Sequence, residues 1–486
     1  MSARRPLARG YFLSVTLLVR FMKLHTPRES FRWLKALWVH HRTSRMTRPQ
    51  LEAEQLRKFR RLTALVHERS PYYRAIMEER RINPATCVPT DFPVLTKQDV
   101  IAHFDDIVTD RNVTRRRIAE FLSRSTDPRE LMDGRYHVLH TSGTSGTMAC
   151  FAYSHEAWIN GASQVVRAMG LKLRRKVAFL GATRGHFAGV SLMMAGSDGT
   201  NALFFNVRIL DVGRPMAQII AELNEFQPDV VSAYAAVLKM LGEAQERGEL
   251  RIKPSELGNG GEPLLPEVRA ELERIFNAKV KNVYASSEHL YMGMPLPGSP
   301  GLNLLEDELI FELHPDHTCI TNLFNDVTPL IRYRLDDVLR LEDGGSSPYP
   351  FRRIKEVIGR QEDALVFINQ HGVEDFIHPI IIVELVVPGL EAWQVVLESK
   401  TSFRFRARLD PALTAKQREG ALNAIRRRLR EILGEKEMSN VHFEIEEVES
   451  LPIDTRTGKF RLVMRAYGEA HQESDASRAV ATSAAL

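Results

Sequence analysis

Short apolar runs alternate with amphipathic stretches through the middle of the chain. The apolar runs predict buried strands at residues 177–180, 202–206, 230–233 and 280–284. Between them, apolar residues recur every three or four positions and predict helices over residues 216–226, 236–246 and 266–276. Strands and helices that alternate at this spacing form parallel sheets with crossover helices, so the pattern predicts an α/β fold.

The pattern changes after position 359. Residues 403–409 alternate strictly between apolar and basic positions, which predicts a half-exposed strand, and residues 415–433 place apolar side chains on one helical face. The sequence therefore predicts a basic amphipathic N-terminal arm, a large domain of parallel or mixed sheets, a small mobile α+β domain and a disordered polar tail. Their predicted bounds are residues 1–50, 51–359, 360–468 and 469–486, respectively.

Charge is distributed unevenly along the 486 residues, whose net charge is +5. Residues 1–48 contain eleven basic residues and one acidic residue, Glu29, a balance of +10. The rest of the chain has a balance of −5. A nucleic-acid-binding body carries a basic face of its own, so the acidic body argues against nucleic acid as a partner.

The N-terminal arm contains a largely apolar run of nine residues, 11–19, which is too short to cross a bilayer. Basic and apolar residues around Pro27 predict an amphipathic helix. Two interpretations remain open: contact with an anionic membrane surface, or packing on the body of the protein. The three cysteines lie far apart without a CxxC pair, which excludes a disulfide framework or a zinc site built from cysteines. We expect a cytoplasmic protein, and on the first interpretation of the arm its membrane contact would be peripheral, at the inner membrane surface.

A run rich in glycine and hydroxyl groups, residues 140–147, follows the apolar residues 136–139. Glycines allow close approach of the backbone to a phosphate, and the hydroxyl and amide groups can donate to its oxygens. The run is neither a Walker A loop, which needs a lysine, nor a GxSxG nucleophile elbow. Taken alone, such a run is more often a plain surface turn than a functional loop.

Three downstream elements add chemistry. Glu288 ends the run Tyr-Ala-Ser-Ser-Glu after a predicted strand, where a carboxylate can bind Mg²⁺ together with phosphate oxygens. Residues 260–263 (Gly-Gly-Glu-Pro) form a turn suited to a flat ring, and residues 332–337 offer carboxylates for the hydroxyls of a sugar. Each element also has a purely structural interpretation, as a helix cap, a tight turn or an ion-paired loop.

In this order, the elements resemble the adenylate-forming superfamily of acyl-CoA synthetases and adenylation domains, and its phenylacetate-CoA ligase-like branch in particular. The family's five motifs match residues 141–147, 284–288, 333–337, 359–362 and 458–459. Two flanking segments, 70–74 and 92–97, also resemble that branch. The likeness covers roughly residues 55–465.

The resemblance implies a role for each matched residue. The β- and γ-phosphates of ATP would be held by Thr141, Ser142, Gly143, Thr144, Ser145 and Gly146. Ser287 would contact phosphate, and Glu288 would hold Mg²⁺. The adenine would be lined by Gly261, Glu262, Pro263 and Tyr284. Asp337 would bind the ribose hydroxyls, Arg360 would belong to the nucleotide site at the hinge, and Lys459 would neutralise charge during adenylation.

The sequence departs from the family pattern at several positions. Thr147 and Met148 replace the usual Pro-Lys, and Ala285 and Asp336 replace glycines. Glu362 occupies the position of the hinge aspartate, and the late motif is about one residue longer. Asp336 adds a charge beside the predicted ribose carboxylate.

The implied activity is ATP-dependent activation of a carboxylic acid through an acyl-adenylate, with transfer to coenzyme A. The branch indicates an aryl or arylacetic acid, in a pocket lined by His186, Phe187 and Tyr234. Alternatives are transfer to carrier-protein phosphopantetheine or to an amine, and a catalytically inactive adenylate-fold binding protein. A further alternative is an ATP-independent acyltransferase, which the HxxxD spacing of His371 and Asp375 allows.

Overall fold

The structure is a computed structural model that describes residues 27–141, 149–169, 174–197, 202, 204–262, 264–299, 301–342, 347–358, 365–377, 382, 387–452 and 462–466. The α-helices are α1 (Pro27–Thr43), α2 (Arg48–Arg69), α3 (Pro71–Glu79), α4 (Lys97–Ala102), α5 (Phe104–Ile107), α6 (Arg115–Arg124), α7 (His155–Ala162), α8 (Val165–Met169), α9 (Ala188–Ser197), α10 (Met216–Phe226), α11 (Ala235–Glu246), α12 (Pro266–Phe276) and α13 (Ala415–Glu435).

The strands up to position 322 are β1 (Tyr136–His140), β2 (Cys150–Ser154), β3 (Arg175–Gly181), β4 (Phe205–Asp211), β5 (Val230–Ala233), β6 (Glu256–Gly260), β7 (Lys279–Ser286), β8 (Leu290–Met294), β9 (Leu302–Leu304), β10 (Leu309–Leu313) and β11 (Thr318–Asn322). The later strands are β12 (Tyr333–Leu335), β13 (Val338–Leu341), β14 (Arg353–Ile358), β15 (Leu365–Ile368), β16 (Glu374–Ile377), β17 (Leu390–Ser399), β18 (Ser402–Leu409), β19 (His442–Glu447) and β20 (Val463–Arg465).

A nine-stranded mixed sheet forms the centre of the fold, in the order β13-β14-β9-β8-β7-β6-β5-β3-β4. Its β4-β3-β5-β6-β7 half is parallel, because α10, α11 and α12 cross over between successive strands. These helices bury apolar faces against the sheet, for example Ile219 and Leu223 of α10 and Leu241 of α11. The predicted α/β class with parallel or mixed sheets and crossover helices is therefore confirmed.

One predicted strand was misplaced. Residues 202–206 were expected to form it, whereas the structure places β4 at Phe205–Asp211. This strand lies at the edge of the sheet, pairs only with β3 and is mostly half-buried. In an edge strand of this kind apolar and polar residues alternate, as Phe205, Val207 and Ile209 do with their neighbours. The apolar run at residues 202–206 therefore overlaps only the beginning of β4.

The C-terminal part forms a separate α+β layer. Its four-stranded sheet has the order β19-β18-β17-β20, and α13 packs on it through Ile425, Leu429 and Ile432. Alternate side chains of β18 are buried, as the sequence predicted. Lys436 links this layer to the large sheet, since its ammonium group donates to the carbonyl of Arg214 at 2.9 Å.

Helix α1 packs on the body through one face. Ala36, His40 and Thr43 are buried there, and the Thr43 hydroxyl donates to the Asp307 carboxylate at 2.7 Å. Asp307 also pairs with Arg167. Part of the predicted amphipathic arm is thus a docked helix, which accords with the interpretation that it packs on the protein. Across the described residues, none of the helices combines the length and the apolar character of a membrane span.

Candidate active site

Three chain segments that the sequence motifs single out meet at one place, beside the ends of β1, β7 and β12. Ser287 directly follows β7, and its hydroxyl donates to the carbonyl of His140 at 3.0 Å. The carbonyl of Ser287 accepts from the hydroxyl of Tyr153 at 2.7 Å. These two bonds attach the end of β7 to the β1–β2 hairpin. The first residue of the predicted phosphate loop, Thr141, and the predicted magnesium ligand, Glu288, therefore each follow directly after one of these two bonded residues.

The hairpin closes the base of the predicted phosphate loop. The amide of Thr141 donates to the carbonyl of Ala149 at 2.8 Å, and the amide of Ala149 donates back to the Thr141 hydroxyl at 3.1 Å. Thr141 is thus held at the point where the loop leaves the hairpin. The predicted loop residues Ser142, Gly143, Thr144, Ser145 and Gly146 lie outside the described residues.

Glu288 is buried at 7% exposure at the end of this segment. Its carboxylate accepts a 3.3 Å hydrogen bond from the hydroxyl of Tyr333 on β12. Burial raises the pKa of Glu288, while the charge of Lys97, at the start of α4, acts in the opposite direction. A single buried carboxylate beside a phosphate loop fits Mg²⁺, which uses one or two carboxylates together with phosphate oxygens.

Tyr284 and Asp337 contact each other across the strands. The Tyr284 hydroxyl donates to the Asp337 carboxylate at 2.8 Å, and the backbone carbonyl of Asp337 accepts from the Thr318 hydroxyl at 2.8 Å. Burial and the negative charge of Asp337 raise the pKa of Tyr284 well above its ordinary value. The Asp337 carboxylate is therefore fixed in position, while its remaining lone pairs can accept from the hydroxyls of a ribose.

Asp336, the extra charge in this motif, points to the surface. Its side chain is 58% exposed and pairs with Arg334 at 3.3 Å. A paired, exposed carboxylate adds little field at a buried site, because water screens it. The departure from the family glycine therefore leaves the Tyr284–Asp337 contact intact.

The glycine turn after β6 contacts Tyr234. Gly261 has a φ of +83°, and a Cβ at that position would lie 3.1 Å from the Tyr234 ring. The Glu262 carboxylate accepts from the amide of Ala236 at 2.9 Å, so this side chain caps α11. The helix-cap interpretation thus holds for the Glu262 side chain, and only its backbone is left to line an adenine. Pro263 lies outside the described residues.

The predicted acyl-pocket residues occupy packed positions. His186 is 1% exposed, bonds to the Ser125 hydroxyl at 3.1 Å and packs on the Phe121 ring. Phe187, which is 6% exposed, lies edge-on against His140 with ring centroids 4.4 Å apart. Tyr234 is half-buried beside Gly261. Their role in binding the acid stays a prediction.

Two residues that the sequence analysis gave no role stand beside Glu288. Tyr333 bonds to it, and Lys97 lies close enough to affect its pKa. In the sequence, Lys97 could have been found through the flanking segment 92–97, which resembles the phenylacetate-CoA ligase-like branch. Leu95 in that segment bridges to β12, since its amide donates to the Arg332 carbonyl at 3.1 Å and its carbonyl accepts from the Arg334 amide at 2.9 Å.

The late motifs cannot be placed. Arg360, Glu362 and Lys459 lie outside the described residues, so their predicted roles remain predictions. The alternative pair His371 and Asp375 is described. His371 is mostly exposed and pairs with Glu437, whereas Asp375 is buried and pairs with Lys436. Separate partners argue against a shared catalytic role for this pair.

Histidines on β1 make stability depend on pH. Burial lowers the pKa of His137 to about 3 and of His140 to about 4. Unfolding returns both to an ordinary value near 6.5, so the unfolded state binds more protons between these limits. The contribution of these two histidines to the free energy of unfolding is therefore complete above pH 6.5. It falls by about 3 kcal/mol per pH unit as the pH drops from there toward 4.

We expect His137→Phe to reduce this pH dependence by about 1.4 kcal/mol per pH unit, since it removes one titrating group. Phenylalanine keeps the stacking of this side chain on Trp158. Urea unfolding at several pH values between 4.5 and 7 measures the slope. His41→Asn, at an exposed position on α1, is the control and should leave the slope unchanged. Equal slopes for His137→Phe and the parent would contradict a neutral His137 in the fold.

The chain is similar to three known proteins. It is 24% identical over 371 residues to the phenylacetate-coenzyme A ligase of Thermus thermophilus, which covers 71% of this chain and 77% of that protein. It is 26% identical over 256 residues to that of Pseudomonas putida, covering 46% and 55%. It is 30% identical over 165 residues to protein CapK of Staphylococcus aureus, covering 32% and 36%. The matches to the last two thus span only about half and about a third of those proteins. No protein-family model matches the chain.

Solved structures share the fold. A 2-hydroxyisobutyryl-CoA ligase in complex with 2-HIB-AMP and CoA aligns with a TM-score of 0.58 at 20% identity, covering 90% of this chain and 94% of that one. The same ligase in its postadenylation state with R3-HIB-AMP gives 0.56 at 18% identity and the same coverage. The present chain therefore shares the fold of this ligase over nine-tenths of its length.

The chain is thus similar in sequence to two phenylacetate-coenzyme A ligases and shares its fold with an acyl-CoA ligase. The resemblance that the ordered motifs predicted, to the adenylate-forming superfamily and its phenylacetate-CoA ligase-like branch, is therefore confirmed. The predicted class of enzyme, an AMP-forming acid–thiol ligase, agrees with what both phenylacetate-coenzyme A ligases are named for.

Proposed function

We propose that this protein activates a carboxylic acid with ATP, forms an acyl-adenylate, and transfers the acyl group to coenzyme A. The observation that carries the proposal is the meeting of the loop base, Glu288 and Asp337. Ser287 bonds to the end of β1, Tyr333 bonds to Glu288, and Tyr284 bonds to Asp337. One nucleotide with its triphosphate at Thr141 and its ribose at Asp337 would bridge these groups.

The first half-reaction joins the acid to AMP. A carboxylate oxygen attacks the α-phosphorus, the bond to the β-phosphate oxygen breaks, and pyrophosphate leaves with those electrons. No protein nucleophile is needed, so catalysis rests on positioning and on compensation of negative charge. Glu288 is the residue that would hold Mg²⁺, which supplies charge neutralisation at the phosphate oxygens when bound.

The second half-reaction forms the thioester. The thiol sulfur, after loss of its proton, attacks the acyl carbon, and AMP leaves with the electrons of the acyl–phosphate bond. We propose that the small C-terminal domain turns about residues 359–362 between the two steps and withdraws Lys459. The contacts of Lys436 with Arg214 and of Arg184 with Glu435 join this domain to the large sheet. Such a rotation would have to exchange them for others.

The acid is proposed to be an aryl or arylacetic acid, because two of the relatives are named phenylacetate-coenzyme A ligases. The same names favour coenzyme A over a carrier-protein phosphopantetheine or an amine as the acceptor. Half-buried Tyr234 would supply aromatic surface beside the glycine turn, and buried Phe187 would supply it beside His140. Fold alone fixes substrates poorly, so the acid has to be found by assay.

Carboxylate-dependent exchange of labelled pyrophosphate into ATP tests the first half-reaction. We expect exchange with at least one member of a panel of aryl, arylacetic and fatty acids, and none without acid. Offering coenzyme A, carrier-protein phosphopantetheine and an amine to the enzyme with that acid then identifies the acceptor. ATP binding without exchange on the whole panel would support the inactive binding protein instead, and acyl transfer without ATP would support the HxxxD acyltransferase.

We further propose that helix α1 attaches the protein to an anionic membrane at the inner surface. Opposite its buried face, α1 exposes Phe31, Leu34 and Trp38, which are 67%, 66% and 62% exposed. Their spacing places them on one side of the helix, and Arg28 and Arg32 are exposed nearby. Large apolar residues flanked by basic ones are typical of helices that lie at a lipid surface.

The triple variant Phe31→Ser, Leu34→Ser and Trp38→Ser tests this attachment without disturbing the docked face. We expect at least a tenfold loss of binding to vesicles that contain anionic lipid, measured by co-sedimentation. Val373→Ser, at another exposed apolar position, is the matched control and should bind as the parent does. Equal binding of the triple variant and the parent would rule out α1 as the anchor.

A further inference from the structure

The hairpin between β10 and β11 brings together His314, His317 and Cys319, which we call the hairpin cluster. His314 directly follows β10, and Cys319 is the second residue of β11. One ligand atom from each of these residues lies within 4.8 Å of the others. Two imidazole nitrogens and one thiolate are the donors that zinc-class ions prefer.

The hairpin holds these side chains in place before any ion binds. The amide of His314 donates to the carbonyl of His317 at 2.9 Å, and the two imidazole rings stack with centroids 4.3 Å apart and planes 9° apart. Cys319 is fully buried at the base of the turn. The backbone of the turn is therefore already ordered, and the two stacked rings need only turn out of their stack for each to direct a nitrogen at one ion.

The hydrogen bonds of the imidazoles indicate which nitrogens are available. Nδ1 of His317 bonds to the Asp316 carboxylate at 2.8 Å, which leaves its Nε2 as the ligand atom. A carboxylate that orients a histidine in this way is typical of zinc sites. Nε2 of His314 is buried and has no hydrogen-bond partner among the described residues. A buried polar atom without a partner carries a desolvation cost, which a bound ion would remove.

Nearby positive charges are compensated. Arg332 pairs with Glu312 at 2.8 Å, and Arg334, which lies opposite Cys319 in the sheet, pairs with Asp336 at 3.3 Å. The charges of Arg332 and Arg334 would therefore repel a cation at the cluster only weakly. A second group of potential ligands among the described residues, at His40, Asp307 and Glu308, is a weaker candidate, because its ligand Asp307 is itself paired with Arg167.

We propose that the hairpin cluster binds one zinc-class divalent ion, with His314, His317 and Cys319 as three ligands and a water molecule as the fourth. The ion would clamp the β10–β11 turn. Thr318, which precedes Cys319 in β11, contacts the proposed nucleotide site: its hydroxyl donates to the carbonyl of Asp337 at 2.8 Å. The ion would therefore also steady the segment that carries the proposed ribose carboxylate. The sequence analysis excluded a zinc site built from cysteines, and this site uses a single cysteine with two histidines.

Cobalt(II) binding to the full-length, untagged protein tests the proposal. After treatment with a chelator, the protein is titrated with Co²⁺ in the absence of ATP. We expect one equivalent to bind, with a thiolate-to-metal charge-transfer band and the visible bands of a tetrahedral ion, and Zn²⁺ to displace it. Zinc should also raise the thermal midpoint of the metal-free protein.

Variants locate the site. Cys319→Ser should abolish the charge-transfer band, and His317→Gln should weaken Co²⁺ binding at least tenfold. Cys87→Ser, at another buried free cysteine, is the control and should keep the band. Circular dichroism shows whether Cys319→Ser folds, and the half-buried His317 gives a second test if it does not. The proposal is overturned if the parent binds no stoichiometric cobalt, or if both ligand variants bind it as the parent does. None of these readouts requires catalysis, so they are independent of the proposed activity.

Discussion

Glu288→Gln is expected to slow acid-dependent pyrophosphate exchange by roughly 100- to 1000-fold. Glutamine has nearly the shape of glutamate and can keep the contact with the Tyr333 hydroxyl, but it removes the negative charge of this buried carboxylate. Mg²⁺ binds neutral amide oxygens less well than carboxylates, so the variant should also need more Mg²⁺ for half-maximal rate. Exchange rates measured across a magnesium titration give both effects.

Asp336→Asn is the matched control for this variant. It also removes a carboxylate charge from one of the site's motifs, but from a side chain that is 58% exposed and ion-paired. We expect its exchange rate to stay within about threefold of the parent, because water screens an exposed charge. A Glu288→Gln enzyme that keeps the parent's rate and magnesium requirement would remove Glu288 from the metal site.

Lys459→Ala is expected to slow adenylate formation by roughly 100- to 1000-fold and to leave thioester formation from a supplied acyl-adenylate within a few-fold of the parent. The proposed role of this lysine is to neutralise charge around the α-phosphate, and that charge develops only in the first half-reaction. Single-turnover assays of each half-reaction separate the two effects.

Lys416→Ala, at an exposed position on α13, serves as the control for loss of a positive charge in the C-terminal domain. It should leave both half-reactions unchanged. If Lys459→Ala slows both half-reactions equally, the lysine does not act in adenylation alone, and the proposed withdrawal between the steps loses its support.

Most of the parallel half of the central sheet could be predicted from the sequence, although β4 was misplaced and β6 was not among the predicted strands. Helices 216–226 and 266–276 have the predicted bounds, because each carries a strong apolar period and is bounded by proline, asparagine or glutamine. The antiparallel half, β8-β9-β14-β13, was not predicted. Its order depends on pairing between strands far apart in the chain, as between β9 and β14, and local periodicity contains no information about such partners.

The candidate site was predictable in outline only. The ordered motifs identified the segments that meet, including Tyr284, Glu288 and Asp337. The contacts that hold them, Tyr333 on Glu288 and Ser287 on the end of β1, arise from tertiary packing. The proximity of Lys97 to Glu288 also arises from tertiary packing. Its segment, 92–97, resembles the branch, but the bridge between Leu95 and β12 is what brings the segment to the site.

The central claim is that the loop base, Glu288 and Asp337 bind one nucleotide. A crystal structure with a non-hydrolysable ATP analogue and Mg²⁺ tests this most directly. We expect the ribose hydroxyls within hydrogen-bond distance of the Asp337 carboxylate, and the triphosphate between Thr141 and Glu288. An analogue bound elsewhere, or bound with its ribose away from Asp337, would contradict the claim.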